Sequence, residues 1–228
     1  MEFVKDEGIV LRKSLAGDYD LSITVYFRKY GKENIYIPKG QLLKSPFLHA
    51  TEPFSWFYGV YFKRKEKFFI KELDRSKSLG LEIAKDINKL KTGFEILNIF
   101  NKYVIFPDEK VFILLKKSLY YLTTDIDTDL FRLNFLAKLI YLSGIYPELN
   151  QCVRCSTKIN QYNYGFLSIN EGGVVCKKCS KKRDTLTYND IKNLRLLKNI
   201  KFQSLNKLKP ISTPKLENFL KDYLSKNL

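Results

Sequence analysis

All four cysteines of the chain stand as Cys152-Val-Arg-Cys155 and Cys176-Lys-Lys-Cys179, two C-x-x-C pairs with twenty residues between them. One such turn presents two thiolates to a single ion, and a second turn completes a tetrahedron, so the spacing is that of a structural zinc site. The same residues would otherwise form disulfides or remain free thiols. Met1 to Glu7 is short, charged and already in a strand pattern, unlike a secretory leader, so a reducing compartment is expected and disulfides are disfavoured. The expected cofactor is therefore one structural Zn²⁺ per chain on Cys152, Cys155, Cys176 and Cys179. A closed four-thiolate site keeps no open coordination position, so it braces structure and does not catalyse.

The chain has 228 residues, 45% of them hydrophobic and 14% aromatic, enough for one large domain or two small ones with filled cores. No apolar run approaches the length of a membrane span. The formal charge of +16 is uneven. Residues 1–80 hold fifteen basic and ten acidic groups, residues 81–151 nine of each, and residues 152–183 seven against one. Two basic modules flanking a neutral block point to a polyanion partner, most often nucleic acid. High lysine content that merely serves solubility is the plainer alternative.

Residues 3–73 read as about five short strands. Leu21, Ile23, Val25 and Phe27 share one face of the clearest of these, with Ser22, Thr24 and Tyr26 on the other. Turns fall at Ala16-Gly17-Asp18, at Tyr30-Gly31-Lys32 and at the basic tip Lys63 to Lys67. With no room for crossover helices, the set fits a small closed barrel such as an OB-fold, and pattern alone leaves an SH3-like barrel open. The period then becomes helical. One helix is expected through Leu81, Ile87, Leu90 and Leu97, with Gly93 a possible interruption. A second, over Val111–Leu122, has a solvent face of little more than Lys116, Lys117 and Ser118. A third runs from Thr128 to Gly144. Asp125, Asp127 and Asp129 lack the glycine and terminal glutamate of a calcium loop and are read as helix N-terminal acids. Thr187 and Asp190 form a capping box, and Thr213-Pro214 opens a last helix whose stripe Leu216, Phe219, Leu220, Tyr223, Leu224 is read as core. The fold class is α+β: an OB-fold nucleic-acid-binding domain at residues 1–78 and a helical domain at 79–228 containing the zinc segment 150–183.

Catalytic patterns are missing. Gly31-Lys32 is followed by Glu33 and is no Walker loop, there is no G-x-G-x-x-G, and the lone His49 has no nucleophile to serve. No enzyme is expected.

Gly8-Ile-Val-Leu-Arg12, Gly17-Asp-Tyr-Asp20, Gly31, Lys39-Gly40 and Pro53-Phe54 stand in an order that resembles the start of the RecO recombination-mediator family. The second half resembles it more sharply. Phe131-Arg-Leu-Asn-Phe-Leu136 and Gly144-Ile-Tyr-Pro-Glu-Leu149 lead to Cys152-x-x-Cys155, then Gly172-Gly-Val-Val-Cys176 and Cys179. The likeness spans residues 5–180. It departs after Gly40, where Gln-Leu-Leu-Lys44 is less basic than the family's usual run, and over 80–125, which lacks alanine-rich helices.

The resemblance implies an OB-fold followed by a helical domain with zinc knuckles. It implies binding of single- and double-stranded DNA and annealing of complementary strands. With RecR, such a protein helps load RecA onto DNA coated with single-strand binding protein, whose C-terminal tail is a further expected partner; RecA is reached indirectly. A cytoplasmic, nucleoid-associated bacterial protein without a membrane partner is expected. Annealing breaks no covalent bond and needs positive charge on more than one surface. The candidate DNA contacts are Arg12, Lys13, Arg28, Lys29, Lys39 and Lys44 on the barrel, and Lys177, Lys178, Lys181, Lys182 and Arg183 beside the zinc turn. The alternative is an OB-plus-zinc-ribbon module that binds RNA in translation or transcription.

Overall fold

The computed structural model describes residues 2–64, 67–180, 186–208, 211 and 213–228. Strands β1 (Glu2–Leu15), β2 (Leu21–Phe27), β3 (Gly31–Ile37), β4 (Ser55–Arg64) and β5 (Lys67–Ser78) close into a barrel in the order β1-β2-β3-β5-β4. That is the five-stranded order of an OB-fold. Closure depends on β1, which pairs with β4 through Glu2–Ile9 and with β2 through Gly8–Leu15. Gly8 lies where the two pairings overlap; a Cβ there would come within 2.5 Å of Val25 Cγ1, so the close approach of β1 to β2 requires glycine. An irregularity between Val10 and Arg12 supplies the bend. β3 meets β5 in parallel at Ile35 and Phe68, completing the cylinder.

The alternation in β2 behaves as read: Leu21, Ile23, Val25 and Phe27 fill the barrel together with Phe57, Tyr61 and Phe68. Burial of side chains of this size stabilises by about 1.5–3 kcal/mol each before entropy is set against it. Tyr26, on the outward face, is also fully buried. Its ring lies 5.3 Å from that of Phe100 and 6.3 Å from that of Phe112. Its hydroxyl donates to the Phe106 carbonyl at 2.9 Å and accepts from the Asp108 N–H at 3.2 Å.

The covering rings come from helices α2 (Ile87–Tyr103) and α3 (Glu109–Leu122), which follow the short α1 (Gly80–Ile83). By contact the chain forms two compact units, Met1–Asp125 and Ile126–Leu228. The first unit thus includes α1, α2 and α3 together with the barrel. The expected helix through Leu81 and Leu97 is broken at Asp86, which caps α2 through the Asn88 and Lys89 amides. Gly93 interrupts nothing. It seats the Phe54 ring, whose Cε1 would lie 2.8 Å from an added Cβ. Ser118 is buried and donates to the Leu114 carbonyl at 2.8 Å, so the open face of α3 is formed by Ile113, Lys117 and Tyr120.

The second unit is built on α4 (Thr128–Leu142), which is apolar almost all round and central. Asp127 caps it through the Asp129 and Leu130 amides, and Asp129 pairs with Arg132 at 2.9 Å, so these acids do serve a helix start. Around it lie a hairpin of β6 (Tyr164–Ser168) and β7 (Gly173–Cys176), then α5 (Tyr188–Leu197) and α6 (Thr213–Asn227). The Thr187–Asp190 capping box is present, and the apolar stripe of α6 is buried. Buried Asn134 donates its amide to the Leu197 carbonyl at 2.5 Å, satisfying the C-terminus of α5. Glu217 on α6 accepts from Arg132 Nε at 2.7 Å and Lys221 at 2.7 Å, which ties α6 to α4. Among the described residues no helix is long and apolar enough to cross a membrane.

Candidate metal centre and nucleic-acid surfaces

The four cysteine sulfurs lie within 4.8 Å of one another. Cys152 opens a tight turn in which the Ser156 N–H donates to its carbonyl at 2.8 Å, with Ser156 at φ +58°. Cys176 is the last residue of β7, and the chain turns back at once, the Cys179 N–H reaching the Cys176 carbonyl at 3.0 Å. Two further contacts aim the sulfurs: the Cys176 N–H donates to Cys152 Sγ at 3.3 Å, and the Thr157 hydroxyl lies 3.3 Å from Cys155 Sγ. Cys155 Sγ and Cys176 Sγ are 3.6 Å apart. A tetrahedral ion with sulfur bonds of about 2.3 Å has sulfur–sulfur edges of roughly 3.8 Å, close to the Cys155–Cys176 separation, so the four thiols could hold such an ion.

The glycines around the knuckles are there for want of space. A Cβ on Gly173 would come within 2.5 Å of the Glu148 carbonyl oxygen, and one on Gly165 within 2.6 Å of the Val175 oxygen. Gly172, at φ +69°, turns the chain so that the Glu148 N–H can donate to its carbonyl at 2.8 Å. Glu148 in turn accepts the Val174 N–H at 2.9 Å, making the Pro147-Glu148-Leu149 stretch a third rail beside the hairpin. Arg154, inside the first knuckle, donates to the carbonyl of Cys179 at 2.8 Å and pairs with Glu171 at 2.7 Å. One guanidinium therefore clasps both knuckles.

The thiols respond to this crowding. Burial raises the pKa of Cys152, but N–H groups of Cys176, Arg154 and Cys155 outweigh it and bring the value below the usual thiol range. The Thr157 hydroxyl and amide, with the neighbouring thiols, lower Cys155 to about 6. Hydrogen bonds to Cys155 and Cys176 raise Cys179 to about 12. Thiols this close titrate together, and a bound cation would compete with their protons.

On the barrel, Arg12 is exposed and shares a cross-strand row with Thr24 and Asn34; the next row is Ser14, Ser22 and Tyr36. Lys39, at φ +52°, is exposed while its N–H donates to Asp20 at 2.7 Å. Gln41 joins the same corner by donating to the Gly17 and Asp20 carbonyls, each at 2.9 Å, so the β1–β2 loop and the segment after β3 form one surface. Lys44 is exposed there. Tyr19, a residue the sequence singled out only as part of a motif, stands 61% exposed in that loop.

Two expected contacts already hold carboxylates. Lys13 pairs with Glu52 at 2.5 Å, and Arg28 pairs with Glu7 at 3.0 Å and also with Glu109. Glu7 is a hub, accepting from Trp56 Nε1 at 2.7 Å and from Lys116 at 2.6 Å, with the Lys116 ammonium 4.2 Å from the Trp56 ring centre. Lys29 is exposed, its N–H given to Asp6 at 2.8 Å. In the second unit Lys177 and Lys178 are exposed on the second knuckle; Lys181, Lys182 and Arg183 lie outside the described residues.

An OB-fold barrel joined in one chain to a helical unit that carries a four-cysteine cluster able to hold a metal ion defines a narrow class of proteins. Residues 1–78 match the family described as recombination protein O N terminal, and residues 107–228 the one described as recombination protein O C terminal. The chain belongs to the RecO family of DNA repair proteins. It is 28% identical over 217 residues to the DNA repair protein RecO of Caldanaerobacter subterraneus subsp. tengcongensis, covering 94% of this chain and 86% of that one. It is 29% identical over 230 residues to that of Halalkalibacterium halodurans, covering 97% and 88%. To the RecO of Alkaliphilus metalliredigens it is 26% identical over 235 residues, covering 99% and 94%.

Proposed function

We propose that the protein binds single- and double-stranded DNA, anneals complementary strands and, with RecR, helps load RecA onto DNA coated with single-strand binding protein. Membership of the RecO family over both the barrel and the cysteine-bearing unit carries this reading. The ion is Zn²⁺, because four thiolates form a soft, closed, tetrahedral set. When bound it supplies cohesion to the knuckles and no reaction. Glu148, Arg154 and the two glycine approaches hold the turns in register around it.

The barrel takes one strand along the outward face of β1, β2 and β3, where Arg12 heads a polar row and Lys39 and Lys44 border the loop carrying Tyr19. Lys29 adds charge beyond β2. Arg28 and Lys13 contribute less, since their carboxylate partners satisfy them at home. The second unit takes backbone phosphates on Lys177 and Lys178, with Lys181, Lys182 and Arg183 following in sequence. The protein works on the cytoplasmic nucleoid.

Strand annealing on complementary oligonucleotides, bare and coated with the cognate single-strand binding protein, with and without RecR, is the test. Annealing of bare strands that weakens steeply with salt and ignores base sequence is expected. Failure to anneal bare strands at low salt, or a firm preference for RNA over DNA of equal length, would remove the reading.

A further inference from the structure

Beside the second knuckle, residues 160–163 form a turn that is held almost entirely by hydrogen bonds. Asn160 Oδ1 accepts the Tyr162 and Asn163 amides at 2.9 and 3.2 Å, while Asn163 Oδ1 accepts the Asn160 amide at 2.8 Å. The Asn163 side-chain amide donates to the Lys158 carbonyl at 2.8 Å, and the Lys177 N–H donates to the Asn163 carbonyl at 2.9 Å. Lys177 Nζ reaches the Tyr162 carbonyl at 2.9 Å, fastening the turn to the knuckle. The Tyr162 side chain takes no part in any of these bonds, and the residue is 79% exposed. A fixed backbone thus presents a ring to solvent.

The chain segments that carry and adjoin this turn are rich in cations. Lys158, Lys177 and Lys178 are all exposed, and between Ser156 and Arg183 the only acid is Glu171, which Arg154 holds. Lysines here also offset the negative charge of a four-thiolate centre, but that need is met without an aromatic ring. An exposed ring on a fixed backbone among cations is the arrangement that stacks an unpaired base while lysines hold its phosphates.

We infer that Tyr162 is a stacking platform for an unpaired base of single-stranded DNA, with Lys177 and Lys178 on the flanking phosphates. The inference rests on the DNA-binding reading above and locates a single-strand contact in the second unit. There an unpaired strand is displayed for pairing, and a duplex, its bases already stacked, gains nothing from the ring.

The full-length, metal-loaded protein tests this. Tyr162→Trp is titrated with oligothymidylate and with duplex of equal phosphate number, following fluorescence of the new indole over the Trp56 background and, in parallel, anisotropy of labelled DNA. Saturable quenching by the single strand and none by the duplex is expected. Tyr162→Ala should weaken single-strand binding by roughly 5- to 150-fold with an unchanged salt slope. Lys178→Ala should lower that slope by about 0.7. Tyr162→Phe should bind as the wild type does, and metal content should be the same in all variants, because no side-chain atom of Tyr162 holds the turn. An indole that stays silent while anisotropy reports binding, or Tyr162→Ala binding as tightly as wild type, overturns the inference and leaves the DNA-binding reading standing. Absence of any single-strand binding by the wild type overturns both.

Discussion

Replacing Glu7 by glutamine tests what holds β1 to α3 in the first unit. Its carboxylate accepts from Trp56, Lys116 and Arg28, and only 14% of the side chain is exposed. The substituted carboxamide would keep one acceptor oxygen, enough for the indole, while its NH₂ group would face a lysine and an arginine that cannot accept. A buried charge-assisted bond stabilises by about 1.5–3 kcal/mol. The Lys116 and Arg28 side chains are 44% and 40% exposed, so water would take up part of each loss and the figure per bond falls to roughly 0.5–1 kcal/mol. The sum, about 1–2 kcal/mol, lowers the melting temperature of a unit this size by roughly 3–8 °C. Fluorescence reads it cleanly, since Trp56 is the only tryptophan and is bonded to Glu7 itself. Burial raises the Glu7 pKa, but the hydrogen bonds from Lys116, Trp56 and Arg28 outweigh it and the net value is lowered. The carboxylate's contribution is therefore complete above the unfolded value of 4.5 and is lost as pH falls through the lower folded value. The gap between wild type and Glu7→Gln should close over that acid range. A variant that melts within a degree of wild type at neutral pH, with unaltered tryptophan emission, would refute the hub.

The neighbouring acid should behave in the opposite sense. Asp6 is 2% exposed and burial raises its pKa despite the Lys29 and Glu7 amides, so the folded state is penalised by its charge above that value. Asp6→Asn should melt higher than wild type at pH 7, and the difference should vanish on acidification. Gly93→Ala drives a methyl to 2.8 Å from the Phe54 ring, so it should destabilise by about 1–3 kcal/mol in denaturant titration, although alanine favours helix. Stripping the metal should expose all four thiols to a thiol reagent and lower the near-ultraviolet signal of the second unit's tyrosines while Trp56 emission holds. Metal affinity should fall with decreasing pH as protons compete for the sulfurs.

Much of this architecture was legible in the residues. The apolar phase of β2, the acids that start α4, the capping box before α5 and the double C-x-x-C are each short-range patterns with a local cause, and each stands where its chemistry puts it. What escaped were features decided by a neighbour distant in sequence. Tyr26 alternates outward yet is covered, because Phe100 and Phe112 arrive some eighty residues later. Gly93 reads as a helix breaker until Phe54 occupies its missing side chain. Arg28 reads as a free cation in a turn, and nothing local shows that Glu7 and Glu109 hold it. The clustering of the four cysteines follows their spacing, whereas the Arg154 clasp and the Glu148 rail depend on the folded hairpin. Exposed rings such as Tyr19 and Tyr162 carry no signature that tells them from buried ones.

The length of β1 has a consequence for assembly. Because one strand serves both as partner to β4 and as partner to β2, loss of Glu2–Glu7 would leave the β2 ladder from Gly8 to Leu15 intact and uncover the Tyr58–Lys63 edge of β4. A bare, hydrophobic strand edge is a template for another chain's strand. A copy damaged near its start would not simply fall apart. It would offer β4 to the matching segment of an intact copy, and the lesion would spread as strand exchange between molecules.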